Sequence, residues 1–409
     1  MKALKLFTLL CLAFNTLTYA NEDNTLDSYI SGLKQKQFRY EYEKNEAESS
    51  KLRDSWIAPL QFNYSYIKNK PYDDELKSQS ATIRINQPIF QGGGIYYGIK
   101  FANASKLYSD YTIDVARRKM IKETIALLMQ IKQQELRIKA QNLQIKNAEI
   151  NLAQKKEQYL NGQLDSGFLD NAIIQRNILI QALYDMQTAE ERLINHFTTL
   201  SDLDYKHATI PHLEYISAKK FLKHNIVLKQ TDALIEKNLY AKGVRIAKYL
   251  PRVSFTAGYN WNNSEQQFKF KSNIQTSTND SQYYDYGIRI NIPLDFNAFR
   301  DIESAKIDFL KARVVAEDRK REFTALFEQV LKNIENFDKK ITLSKENIEL
   351  YSKLLTDTKR LFKAGYKTEY DVETLSNSLK IQELDTQIYE IDKQLELLNL
   401  YEMYVEEGK

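Results

Sequence analysis

Four histidines, one cysteine and one run of three glycines are the residues of this 409-residue chain whose types carry chemistry elsewhere. Their spacing withholds it here. His196, His207, His212 and His224 gather around mid-chain, but none shows metal-ligand spacing such as His-Glu-x-x-His. They read as surface residues of a belt. Cys11 lies inside the N-terminal apolar segment, so thiolate chemistry is excluded once that segment is removed. Gly92-Gly93-Gly94 lacks the Lys-Ser/Thr of a phosphate loop and the parallel strand–helix setting such a loop needs. A sharp strand-to-helix connection is the better reading. The sequence therefore predicts no enzyme, and no catalytic, cofactor-binding or metal-binding residues.

The elements carry more information than these residues do. The formal net charge is only +4 although 27 % of residues are charged, which gives no reason to expect nucleic acid. Lys2 and Lys5, the apolar run Leu6 to Leu17 and Thr18-Tyr19-Ala20 read as a secretory signal over residues 1–20. Leu10 before Cys11 is too large for a lipobox, so no lipid anchor is expected. No later stretch reaches the ~20 apolar residues of a membrane helix. Any membrane span must be β.

Four segments, about 59–67, 80–89, 251–262 and 283–293, alternate by face. Phe62, Tyr64 and Tyr66 oppose Asn63 and Ser65; Val253, Phe255, Tyr259 and Trp261 oppose Ser254, Thr256 and Asn260; Tyr284, Tyr286, Ile288 and Ile290 oppose Asp285, Arg289 and Asn291. Such alternation over ~10 residues, rich in aromatics, suits a transmembrane barrel strand. It places Arg84, Asn86, Arg289 and Asn291 in the lumen, where the arginines either tune permeant charge or hydrogen-bond across a filled interior. The polar segments 67–79 and 263–282 read as external loops. A half-buried sheet of a soluble sandwich is the competing reading, but no further strands exist for its second layer. Four strands cannot close, lipid tolerates no open sheet edge, and the smallest barrels have about eight strands. A spanning protomer must therefore oligomerise.

Residues 97–161 and 298–364 run without Pro, each long enough for about 100 Å of helix. Two apolar stripes, Leu136, Leu143, Ile150 and Ile138, Ile145, Leu152, repeat every seven residues on opposite sides. A helix with two seams packs between two neighbours, as a stave in a curved wall; an elongated four-helix bundle would show one broad face. Residues 168–200 followed by 217–248 would make a third stave, and 371–405 with 26–56 a fourth. Ile83-Arg84-Ile85-Asn86-Gln87-Pro88 recurs as Ile288-Arg289-Ile290-Asn291-Ile292-Pro293, and the same offset of 205 carries Leu136, Ile138, Leu143, Ile145 and Ile150 onto Ile341, Leu343, Ile348, Leu350 and Leu355. The chain thus divides into a first repeat at 21–205, a linker at 206–216 and a second repeat at 217–409. Gly162 and Gly365 sit where each long helix must reverse, the first within a tip at about 159–172 and the second at about 362–375.

This order, with Ile85-Asn86-Gln87-Pro88-Ile89-Phe90, Ile290-Asn291-Ile292-Pro293-Leu294 and the tip Gly365-Tyr366-Lys367-Thr368-Glu369-Tyr370-Asp371-Val372, resembles the TolC-type outer-membrane efflux protein family over essentially the whole mature chain. The first tip, Gly162 then Ser166-Gly167-Phe168-Leu169-Asp170, departs by two extra residues between Gly and Asp and by lacking the Val. The resemblance implies a mainly α fold with a β-barrel part. As a homotrimer it would form a 12-stranded barrel in outer-membrane lipid on a 12-stave periplasmic α-barrel. It also implies a passive exit duct, docked on a periplasmic adaptor (membrane fusion) protein and an inner-membrane RND or ABC transporter, in a Gram-negative outer membrane. Gly162, Ser166, Gly365 and Thr368 would then mark the adaptor-docking tips. Asp371 matches a lumen-facing acid of the constriction, and Lys367 and Asp170 match positions that latch the closed state. Phe362 replaces a hydroxyl-bearing Tyr, and Thr374 stands where a second acid is expected. The same charges also read as ordinary helix caps and surface groups. A type I secretion duct shares this architecture. A coiled-coil tether would not explain the paired strands, and an adaptor would carry one helical hairpin, not two.

Overall fold

The computed structural model describes residues 26–70, 75–270 and 273–405. The expected signal segment, with Cys11, lies outside the described residues. After a 3-10 turn at Asp27–Tyr29 come α1 (Gly32–Arg53), β1 (Gln61–Asn69), β2 (Glu75–Phe90), α2 (Gly94–Leu160) and α3 (Ser166–Leu200). Then follow α4 (Ala218–Lys223), α5 (Ile226–Ala247), β3 (Arg252–Phe270), β4 (Asn273–Asn291), α6 (Ala298–Lys363) and α7 (Glu369–Tyr401). Among the described residues no helix is long and apolar enough to cross a membrane.

The strands form one antiparallel sheet in the order β1-β2-β3-β4. Register follows the alternation, because a one-residue slip would exchange the polar and apolar faces of every strand. Gln61, Arg84, Gly258 and Asp285 lie side by side on the polar face, and Phe62, Ile83, Tyr259 and Tyr284 on the apolar one. The β3–β4 hairpin runs further than expected: residues 263–270 and 273–282, expected as loop, continue the ladder. At 19 residues each, β3 and β4 reach roughly 60 Å. Where water meets both faces of a strand, its side chains need no alternation while its backbone bonds persist. Polarity alone hides such an extension.

The helices form a wall one layer thick. The third and fourth staves are paired differently from the expectation. α1 stacks on α3, not on α7: the Ser31 N–H donates to the Leu200 carbonyl at 2.8 Å and the Gly32 N–H to Asp202 Oδ2 at 2.8 Å. α5 stacks on α7 through Ile226 N–H to the Met403 carbonyl (2.8 Å) and Val405 N–H to the His224 carbonyl (3.1 Å). In each splice one carbonyl at or just past a helix C-terminus, Leu200 or Met403, accepts from an N–H at the next N-terminus. α2 packs against α3 and α1 on one side and against α7 and α5 on the other, while α6 packs against α7 and α5.

The repeat register also differs from the expected offset in the helices. Gln141 Nε2 bonds the Leu179 carbonyl at 2.8 Å, and Ser344 Oγ bonds the Gln382 carbonyl at 3.3 Å. Both pairs, and the turn glycines Gly162 and Gly365, are related by 203 residues. α2 has 67 residues and α6 has 66, so part of the slip falls inside the long helix. Two seams set two residues apart let a two-residue misalignment still place apolar on apolar.

The staves are pinned where the splices occur. Ile121, Ile125 and Met129 of α2, Phe221 of α4, Phe327 and Val330 of α6 and Leu397 and Leu398 of α7 are buried together with linker residues Leu213 and Ile216. Phe221 stacks on Phe327 with ring centroids 5.5 Å apart. Each such side chain contributes about 1.5–3 kcal/mol by leaving water.

Candidate functional site

Among the described residues no group of three His, Cys, Asp or Glu side chains could hold a metal ion. His224 is half-buried, edge-on to Tyr404, whereas His207 pairs with Asp204 and His196 with Glu123 at the surface. The structure instead offers a wall with two ends.

At the sheet end, Arg84, Asn86, Arg289 and Asn291 share one polar face. Arg84 Nη2 lies 3.9 Å from Asp285 Oδ1, across Gly258. A Cβ at Gly258 would sit 2.8 Å from that same oxygen, so the missing side chain is what lets the pair approach. Asn260, 7 % exposed, donates to Asp285 Oδ1 at 2.8 Å. Ser65 and Ser80 share a hydroxyl hydrogen bond of 2.8 Å. The opposite face exposes Phe62, Tyr64, Tyr284, Tyr286, Ile288 and Ile290, a surface that water does not favour.

The sheet joins the wall through Gly92 and Gly93, both at positive φ, which turn β2 into α2. A Cβ on Gly92 would collide with Leu250. The equivalent junction after β4 has no such cover: Leu294, Phe296 and Phe299 are almost fully exposed.

At the far end the helices reverse through two turns of one design. Gly162 (φ +70°) donates to the Tyr159 carbonyl and Gln163 to Gln158, both at 2.9 Å; Gly365 (φ +80°) donates to Phe362 at 3.0 Å and Tyr366 to Leu361 at 2.9 Å. The return helices are then capped three residues after each glycine, by Asp165 on Gly167 N–H and by Thr368 on Asp371 N–H. The first tip is therefore no longer than the second. Asp165, not Ser166, is the counterpart of Thr368, and Asp170 is the counterpart of Glu373. Asp371 closes a capping box, its Oδ2 accepting from the Thr368 N–H and hydroxyl at 2.9 Å each. Those two bonds, and Lys367 beside it, hold its carboxyl below the usual carboxylate range. Lys367 Nζ lies 3.9 Å from Asp371 Oδ1, so within the protomer it pairs with Asp371 and not with Asp170. Phe362, Tyr366 and Asp170 are exposed.

Residues 218–404, from α4 through α7, match the family model of outer membrane efflux proteins. The match covers the second half of the chain, from the first short helix after the linker to the end of α7. No curated protein matches it by sequence. Solved structures extend the likeness to more than nine-tenths of the chain. The outer membrane protein VceC from Vibrio cholerae superposes with a TM-score of 0.70 at 14 % identity, covering 93 % of this chain and 95 % of that one. The Campylobacter jejuni outer membrane channel CmeC gives 0.72 at 12 % identity, covering 94 % and 86 %. The open state of the Neisseria gonorrhoeae outer membrane channel MtrE gives 0.62 at 12 % identity, covering 92 % and 87 %. At these identities the likeness is one of fold.

In this chain several residues that shape the wall escape a reading of the sequence. Asp285 and Asn260 sit on polar faces like any others, and only the register brings them to Arg84. Asp165 directly precedes the expected Ser166, and the Gly-to-cap spacing of three residues in both tips is the signal that finds it. Gln133, Gln134 and Gln141 are buried in α2 and bond Ile388, Met186 and Leu179 carbonyls of the flanking helices. Glutamine in a charged helix carries no mark that it faces a neighbour.

Proposed function

We propose that this chain is one protomer of a homotrimeric exit duct, its β-barrel in the outer membrane and its α-barrel in the periplasm of a Gram-negative cell. The duct carries molecules from an inner-membrane RND or ABC transporter, through a periplasmic adaptor, to the exterior without performing chemistry. The observation that carries this reading is incompleteness. The sheet ends in two open edges, at β1 and β4, and its outer face is apolar. Lipid admits no such edge. A ring of copies pairs each β4 with the next β1 and closes the helical wall at the same step.

The tips make the inner end. Gly162, Asp165, Ser166, Gly365 and Thr368 build the surface offered to the adaptor, and Asp371, Lys367, Asp170 and Phe362 line the constriction. Three Asp371 carboxylates around one axis favour cations there. Because Lys367 already lies beside Asp371 within one tip, removing the lysine unmasks the acid. Lys367→Ala and Asp170→Ala channels in planar bilayers are expected to conduct more than wild type; unchanged openings would remove these residues from the gate.

The reading as a whole is tested in outer-membrane fractions. A band at trimer mass that collapses to monomer on heating, together with conductance after reconstitution, is the expected result. A monomer stable in water without detergent would overturn it.

A further inference from the structure

The polar face of the sheet is not uniform along the pore. Resting on the reading of the chain as a membrane duct, we propose that the periplasmic mouth of its β-barrel is an anion-binding ring built from Arg252 and Arg289, which favours substrates bearing carboxylate, phosphate or sulfonate groups. The argument begins one level further out, where charge is balanced. Asp285 takes a hydrogen bond from Asn260 at 2.8 Å and faces Arg84 at 3.9 Å across the gap left by Gly258. Around that level the face is neutral: Asn63, Ser65, Ser80, Thr82, Thr256 and Asn262.

Toward the periplasm the balance is lost. Arg289 lies opposite Ser254, and Arg252 opposite Asn291, so the two guanidinium groups are diagonal neighbours on the same face. Among the described residues neither has a carboxylate partner. The acids that might serve are occupied. Asp285 is held by Asn260. Asp295 accepts from the Asn297 N–H at 2.8 Å. Asp301 is bound by Arg245, Lys248 and Tyr249, and Asp54 by Arg53. Arg252 itself donates only to the Lys248 carbonyl, at 2.9 Å. Closure of the barrel does not supply an acid either. The strand that must pair with β4 is the next copy's β1, Gln61–Asn69, and it contains no Asp or Glu in any register.

Three copies place six guanidinium groups around one aqueous pore with low-dielectric walls. That geometry focuses positive potential and suits bidentate contacts to oxyanions. The inner end carries the opposite sign, through Asp371, Asp165 and Asp170, so the two ends of the duct would impose different preferences.

The test is current block in planar bilayers, with inositol hexakisphosphate added on the extracellular side, so that the probe reaches the barrel without passing the tips. Wild-type channels are expected to be blocked, and the Arg252→Gln/Arg289→Gln double variant to need at least about tenfold more blocker. Arg289→Gln alone should move in the same direction; it decides the matter if the double variant fails to give heat-modifiable trimers, because Arg289 makes no backbone contact. In wild type, raising the salt to 1 M, where the Debye length falls to about 3 Å, should relieve block. Wild-type channels indifferent to the probe, or variants blocked as well as wild type, would overturn the ring while leaving the duct intact. Absence of any conductance would instead remove the duct, and the ring with it.

Discussion

Gly243 of α5 has no room for a methyl group: a Cβ there would lie 2.5 Å from the Tyr97 ring of α2. The close approach seats α5 against the start of the long helix, directly beneath the sheet. Gly243→Ala forces the ring or the helix to move, at a cost of about 1–3 kcal/mol. Gly98, the residue next to Tyr97 in the chain, has nothing within 4 Å of a built Cβ. Gly98→Ala removes only the backbone entropy that glycine costs a helix and should stabilise by roughly 0.5–1 kcal/mol. Thermal unfolding of the two variants should therefore move in opposite directions from wild type. At the tip, Asp371 binds its proton less readily in the folded state than in the unfolded chain, because the Thr368 N–H and hydroxyl bond its charged form. Its contribution is complete above the unfolded carboxylate range and is lost as pH falls through the depressed folded value. Amide exchange in the first turn of α7 should stay slow down to that lower pH and then accelerate, and Asp371→Ala should show fast exchange at neutral pH.

The splices between helices are decided by end groups. Asn225, fully buried, caps α5 by accepting from Val227 N–H at 2.9 Å and Leu228 N–H at 3.1 Å, in the same turn where Ile226 bonds the end of α7. Asn225→Ala should cost about 1–2 kcal/mol through lost capping, and more if the two N–H groups stay dry. A lowered melting temperature, with protease cleavage appearing near residues 217–225, is the expected readout. This turn also shows what a sequence can reveal. The long helices and the four alternating segments were legible because each buries or exposes a whole face, and periodicity records that. The partner of each short helix was not. α1 and α5 have 22 residues each, so length and heptads fit either stacking, and the choice rests on hydrogen bonds such as Ser31 to Leu200. The repeat offset failed for a related reason, since Ile138 and Leu136 are both apolar and two residues apart. On the polar face of the sheet, Arg84 was visible as a charge on a strand face. Its partner Asp285 was not, because cross-strand register depends on where both hairpins turn.

At the scale of the molecule, the internal repeat foretells the contact between copies. Inside the protomer, Asn147 of α2 accepts a hydrogen bond from Asn377 of α7 at 2.9 Å, and Ala140, one heptad earlier, is 7 % exposed. The 203-residue relation carries Asn147 and Ala140 onto Leu350 and Leu343 of α6, and it carries Ile174 of α3 onto Asn377. Leu350, Leu343 and Ile174 are 54 %, 58 % and 53 % exposed in the single chain. The repeat thus covers the first copy of this seam and leaves the second bare, with apolar side chains where the covered one has small and amide groups. If the wall continues by the same rule, Leu350 packs against Ile174 of the next copy. Each side chain so buried is worth about 1.5–3 kcal/mol per contact, repeated three times around the proposed ring. The only cysteine, Cys11, lies in the segment expected to be cleaved, so introduced thiols would stand alone. A Leu350→Cys/Ile174→Cys variant treated with a short bismaleimide in intact membranes should give covalent dimers and trimers, and either single variant should give none. Leu350→Glu with Leu343→Glu places six carboxylates in that seam and should abolish the heat-modifiable trimer while leaving helical content unchanged. Cross-links absent from a trimer that still assembles would mean that copies meet with a twist the internal repeat does not share.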